Sequence, residues 1–134
     1  MQNATIIMST ISNGQYDTNI DMVAEGSYFL EDDTTFLDFE NTEHEVKMRV
    51  GINNDTVTVS RFGDEVYTMV LQKDIKTNFL IHTQNGDLPV SILTHDITLT
   101  TTDEEINLKL DYTLQFDFDS EPNHNVLELK CIKH

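Results

Sequence analysis

The chain has 134 residues, with 24 Asp plus Glu against 8 Lys plus Arg and a formal charge of -16. This length supports one domain, 1–134, and 38% apolar residues suffice for one modest core. So acidic a chain is repelled by the polyanionic backbone of DNA or RNA, which excludes nucleic acid as an expected partner.

No stretch approaches the roughly 18 apolar residues of a membrane-spanning helix. The opening MQNATIIMSTISNG has neither a basic n-region nor an apolar h-region. The expectation is a cytoplasmic protein without a membrane partner. The single Cys131 cannot form an internal disulfide, which fits a reducing compartment.

Thr, Ile and Val number 17, 11 and 9, and 7 Phe and 4 Tyr add to them, whereas Ala occurs twice. β-Branched and aromatic side chains suit a pleated surface and lose rotamer freedom in a helix, so the chain reads as all-β. Turn residues and period-two alternation divide it into about ten strands, at 3–11, 16–30, 35–40, 45–52, 56–62, 65–71, 76–83, 88–100, 105–118 and 125–132.

Asn13-Gly14 marks the first turn. In the second strand Tyr16, Ile20, Met22, Ala24, Tyr28 and Leu30 oppose Asp17, Asn19, Asp21 and Glu25. After Asp32-Asp33 and a short third strand, Val46, Met48, Val50 and Ile52 alternate with Glu45, Lys47, Arg49 and Gly51. Breaks follow at Asn53-Asn54-Asp55, Phe62-Gly63-Asp64 and Lys73-Asp74, where residues 73–76 are read as a short helix.

Asn85-Gly86 gives a second hairpin turn, and Thr102-Asp103-Glu104 and Glu121-Pro122-Asn123 flank the clearest strand. In it Ile106, Leu108, Leu110, Tyr112, Leu114, Phe116 and Phe118 alternate with polar residues, so one face is buried and the other wet. Short connections imply an antiparallel meander, and closure into a barrel disposes of the strand edges most simply, with a two-sheet sandwich as the alternative.

Three segments carry a family resemblance: Gly26-Ser27-Tyr28-Phe29, Phe36-Leu37-Asp38-Phe39-Glu40, and Val57-Thr58-Val59-Ser60-Arg61-Phe62-Gly63. Phe79, the Gly86 turn, Thr94 and the strand through Tyr112 extend it over about residues 20–132. In these features the chain resembles the YwiB-like family of small bacterial proteins of unknown function. The resemblance implies a calycin-like, lipocalin-related β-barrel of about 8–10 strands and brings no catalytic residue. A Gly-x-Trp of the calycin kind is absent, because the chain has no tryptophan.

Chemistry-bearing motifs are sparse. There is no Gly-x-Ser-x-Gly, and the glycines at 14, 26, 51, 63 and 86 are isolated, matching no phosphate cradle. His44, His82, His95, His124 and His134 share no zinc-ligand spacing, and the clusters Glu31-Asp32-Asp33, Asp103-Glu104-Glu105 and Asp117 to Glu121 do not fit the twelve-residue calcium loop. No metal and no cofactor are expected, and Cys131, in phase with Leu127 and Leu129, reads as a core thiol.

Arg61 extends the buried face of Val57 and Val59, and a buried cation needs a partner. Two partners fit, the carboxylate of a ligand at a mouth of the lumen or a barrel carboxylate such as Glu40 or Asp38; otherwise the register leaves the core at this strand end. His82 shares a face with Asn78 and Leu80, and His95 with Leu93, Ile97 and Leu99; each is a titrating site or a satisfied core residue. Tyr28 and Tyr112 can offer hydroxyls to a lumen. Arg61, Tyr28, Tyr112 and His82 therefore form the candidate ligand-binding set, and no catalytic residue is assigned.

The expectation is a non-enzymatic binding protein for a small apolar or amphipathic ligand. The alternative is a filled barrel whose acidic exterior engages a basic protein. An enzyme built on Arg61 and a histidine is the third class. An incompletely closed barrel leaves an edge that a second copy can cover, so monomer and homodimer both stay open.

Overall fold

Period-two alternation and tight turns carry through into ten strands in the computed structural model, which describes residues 2–13, 18–41, 45–117 and 121–134. These are β1 (Gln2–Asn13), β2 (Thr18–Glu31), β3 (Thr34–Asn41), β4 (Val46–Asn53), β5 (Thr56–Phe62), β6 (Tyr67–Gln72), β7 (Lys76–Thr83), β8 (Gly86–Thr101), β9 (Glu105–Phe116) and β10 (Asn123–Lys133). The boundaries lie within two residues of those read from the sequence. The Asn13-Gly14 turn, Tyr16, His44 and Phe118 lie outside what the structure describes in full.

One sheet runs in the order β6-β5-β4-β3-β2-β1-β10-β9-β8-β7, every ladder antiparallel. The first and last strands pair along their length, from Ala4 with Lys133 to Asn13 with His124. The seam of the barrel falls instead between β6 and β7, neighbours in sequence. No continuous ladder joins them among the described residues; Val66 and His82 exchange backbone hydrogen bonds of 3.0 and 2.8 Å, and the Thr77 hydroxyl donates to the Val70 carbonyl at 2.8 Å. The barrel is thus nearly closed.

Inward side chains from around the wall form one core, including Ile6, Leu37, Val50, Leu71, Ile92 and Leu110, with Met48, Met69, Phe39 and Tyr112 supplying bulk. Cys131 is fully buried in this core, and burial pushes its thiol pKa up.

Four local readings change. Residues 73–75 form a turn with Asp74 at φ 64° and Lys76 already begins β7, so the helix read over 73–76 does not form: three connecting residues leave no room for one. A bulge between Thr94 and Asp96 inserts His95 into β8, so Thr94 and then Ile97 face inward while Leu93 and His95 point out. Leu30 has inward parity but stands beyond the core at the rim, 72% exposed. His82 faces outward on β7, opposite Asp87, rather than into the core.

Candidate functional site

The four candidate residues do not form one site: Tyr28 and His82 stand apart, while Arg61 and Tyr112 are linked through Tyr67. Arg61 does face inward, opposite Met48 and Tyr67, at the end of the barrel formed by the β5–β6 connection. It donates to Glu65 at 2.9 Å and Asp64 at 3.2 Å. Asp38 and Glu40 are not its partners, because Phe39 between them faces the core and turns both carboxylates outward. Asp38 instead takes a bidentate bond from Arg49, at 2.7 and 2.8 Å.

Tyr112 is 4% exposed within the lumen, and burial pushes its phenol far above the usual range, with the neighbouring Tyr67 adding to the effect. Burial likewise raises Tyr67, partly offset by the positive charge of Arg61. Arg61, Tyr67 and Tyr112 are thus close enough to influence one another electrostatically. His82 is bound to Asp87 at 2.8 Å on the outer wall.

Tyr28 borders a recess at a mouth of the barrel. In a meander, the connections β2–β3, β4–β5, β6–β7 and β8–β9 all emerge at one end, and Tyr28 lies near that end. The recess there is about 140 Å³, lined by Tyr28, Leu30, Ile52, Leu99, Ile106 and Lys133 among others. The strand ends and turns at this same end of the barrel carry Glu31, Asp32, Asp33, Asp55, Asp103 and Glu104. Asp32 and Asp33 hold the β2–β3 turn with φ of 50° and 64°, a conformation that short polar side chains tolerate.

Lys133 reaches into this mouth from β10. It follows Cys131 on the inward face, its Nζ lies 5.3 Å from the centre of the Tyr28 ring, and it donates to the Thr102 carbonyl at 3.1 Å. The ring is held in turn by its hydroxyl, which donates to Gln2 Oε1. An apolar floor and an aromatic face, at an end of the barrel whose turns are acidic, suit a group that is both apolar and cationic.

The larger concavities open on the outer wall. Ser27, Asp38, Arg49, Ser60 and Thr68 form one outward row across β2 to β6, and Phe29, Phe36, Gly51 and Thr58 form the next. Phe29 and Phe36 stack at 5.2 Å, and the Arg49 guanidinium lies 5.6 and 5.2 Å from their centres. The Asp38–Arg49 pair separates grooves of about 550 and 630 Å³. The hydrogen bond to Asp38 raises the Arg49 pKa, and a guanidinium is charged in any case.

Elsewhere on the outer wall His124 bonds Asp111 at 2.5 Å, with the His95 ring 5.9 Å away. No group of three or more His, Cys, Asp or Glu among the described residues is placed to hold a metal. No helix among them is long and apolar enough to cross a membrane. Leu30, Leu99 and Lys133 escaped sequence reasoning because the mouth joins strands far apart in the chain; the one signal was Lys133, in phase with Leu127, Leu129 and Cys131 at inward positions.

Comparison with known proteins agrees with the fold. A family model described as "Domain of unknown function (DUF1934)" matches residues 6–129. No curated protein sequence matches. Among solved structures, the ywiB protein from Bacillus subtilis superposes with a TM-score of 0.86 over 99% of this chain and 92% of that one, at 15% identity.

Proposed function

For this chain, which belongs to the DUF1934 domain family, we propose a non-enzymatic binding role in the cytoplasm: a filled, acidic barrel that docks a basic protein segment at one mouth. The observation that supports the reading is a mostly apolar recess at the end of the barrel whose turns carry the acidic residues. Its volume of about 140 Å³ is below the roughly 300–1,000 Å³ of small-molecule sites, and suits one anchoring side chain better than a free ligand. Carboxylates around an apolar anchor site speed encounter with a basic segment and reject acidic ones. Tyr28 belongs to this site; Arg61, Tyr112 and His82 are assigned to the architecture.

The test is a titration of the isotopically labelled protein with a peptide of alternating lysine and leucine, followed by NMR. Shifts should cluster on Leu30, Thr101 and Ile106, and affinity should fall about tenfold or more between ionic strengths of about 0.05 and 0.5 M. A glutamate and leucine peptide should not bind. Shifts confined to the outer wall, or no binding at low salt, would overturn the reading.

The outer-wall groove of about 630 Å³, with its Phe36 face and Arg49, supports a second reading, a small amphipathic ligand held outside the barrel. Native mass spectrometry of protein from its own host tests it. A bound small mass lost on denaturation supports this reading, whereas a bare monomer or homodimer refutes it.

A further inference from the structure

We propose that the face of Tyr28 is a subsite for a primary ammonium group, occupied in the free protein by Lys133, so that a lysine of the docking segment and Lys133 compete for one position. The proposal rests on the mouth being the docking surface and names the group recognised there.

The occupied state shows what the subsite holds. An ammonium offers three N–H donors and no acceptor. At this mouth one donor is taken by the Thr102 carbonyl at 3.1 Å, and the charge sits 5.3 Å from the Tyr28 ring centre, within the usual range of a cation–π contact. The ring cannot swing away freely, since its hydroxyl is tied to Gln2, whose amide is tied to the His134 carbonyl at 2.5 Å. Turn carboxylates, Asp103 and Glu104 among them, make the surroundings favourable to any cation.

The side chain of Lys133 can leave without loosening the strand that carries it. Its backbone N–H is bonded to the Glu104 carbonyl at 2.8 Å, and the N–H of His134 to the Asn3 carbonyl at 3.1 Å. Register between β1 and β10 is set by that backbone pairing. Because the lysine stem lines the recess, its departure also enlarges the space open to an incoming side chain. The occupant is a lysine of a basic segment, since the acidic turns at this end favour a cation and the recess is the size of one side chain.

The experiment uses the lysine and leucine peptide on the full chain and three variants. Lys133→Met keeps the stem and removes the ammonium, and it should bind about three- to tenfold tighter, the worth of one such contact. Lys130→Met removes the same charge from the outward face of β10 and should change affinity less than twofold. In a Tyr28→Leu background the gain from Lys133→Met should vanish, as a double-mutant cycle requires for a shared subsite. Thermal melts of the variants establish that the barrel is intact.

Equal or weaker binding by Lys133→Met, or an equal gain from Lys130→Met, with peptide shifts still at the mouth, would overturn the subsite and leave the docking surface standing. Peptide shifts absent from the mouth in every variant would remove both.

Discussion

Gly26 offers the sharpest test of how the wall is built. It is the point where β2 leaves its pairing with β3, and it sits opposite Phe39. A Cβ added there would lie 2.2 Å from the Asp38 carbonyl oxygen, 2.9 Å from Phe39 Cβ and 3.1 Å from Ile6 Cδ1. The nearest obstacle is backbone inside a hydrogen-bonded ladder, so relief requires β3 to move and strain its bonds to β2 and β4.

Overpacking a well-filled interior costs about 1–3 kcal/mol, and an immovable contact belongs at or above the top of that range. Gly26→Ala should therefore lose about 3 kcal/mol, which lowers Tm by about 10 °C for a domain of this size. Gly86 is the control: a Cβ there meets nothing within 4 Å, and only its φ of 118° is unfavourable, so Gly86→Ala should cost about 1 kcal/mol. Urea denaturation with a constant m-value measures both. A loss at Gly26 no greater than at Gly86 would refute the close approach of β2 and β3.

Two further outcomes are expected. Thr77→Val removes the hydroxyl that serves the Val70 carbonyl, and should cost about 1 kcal/mol while speeding amide hydrogen exchange in β6 and β7 and leaving β1 and β10 protected. Burial raises the Tyr67 and Tyr112 phenols above their unfolded value of 10.0, so the folded state keeps protons that the unfolded state releases. Stability should then be unaffected by these groups below about pH 10 and fall as pH rises beyond it; phenolate absorbance should climb together with loss of structure, and Tyr112→Phe should remove part of the dependence.

The strand pattern was legible because most turns are short and marked, and because inward and outward residues alternate without interruption over most of the chain. The bulge at His95 was not, since one inserted residue leaves a good alternation on either side and only reverses its sense. Parity also governed Arg61: the alternation of Val57 and Val59 turned it inward correctly, and the same rule applied to Phe39 takes Asp38 and Glu40 out of its reach. Of the candidate residues, Tyr28 reached the mouth. Its companions Leu99 and Lys133 come from strands that meet β2 only when the barrel closes, which local periodicity cannot express.

The placement of the seam bears on how the chain acquires its shape. Because β6 and β7 hardly pair, strands β1 to β6 and β7 to β10 are two meanders with only nearest-neighbour hairpins inside each. They are joined by the ladder from Ala4–Lys133 to Asn13–His124, the contact of greatest sequence separation in the fold. During synthesis at about 5–20 residues per second, β1 waits on the order of ten seconds for its partner. Through that interval one edge of β1 is open, with Ile7 and Ile11 on its outward face, and the first meander is most exposed to pairing with the wrong chain.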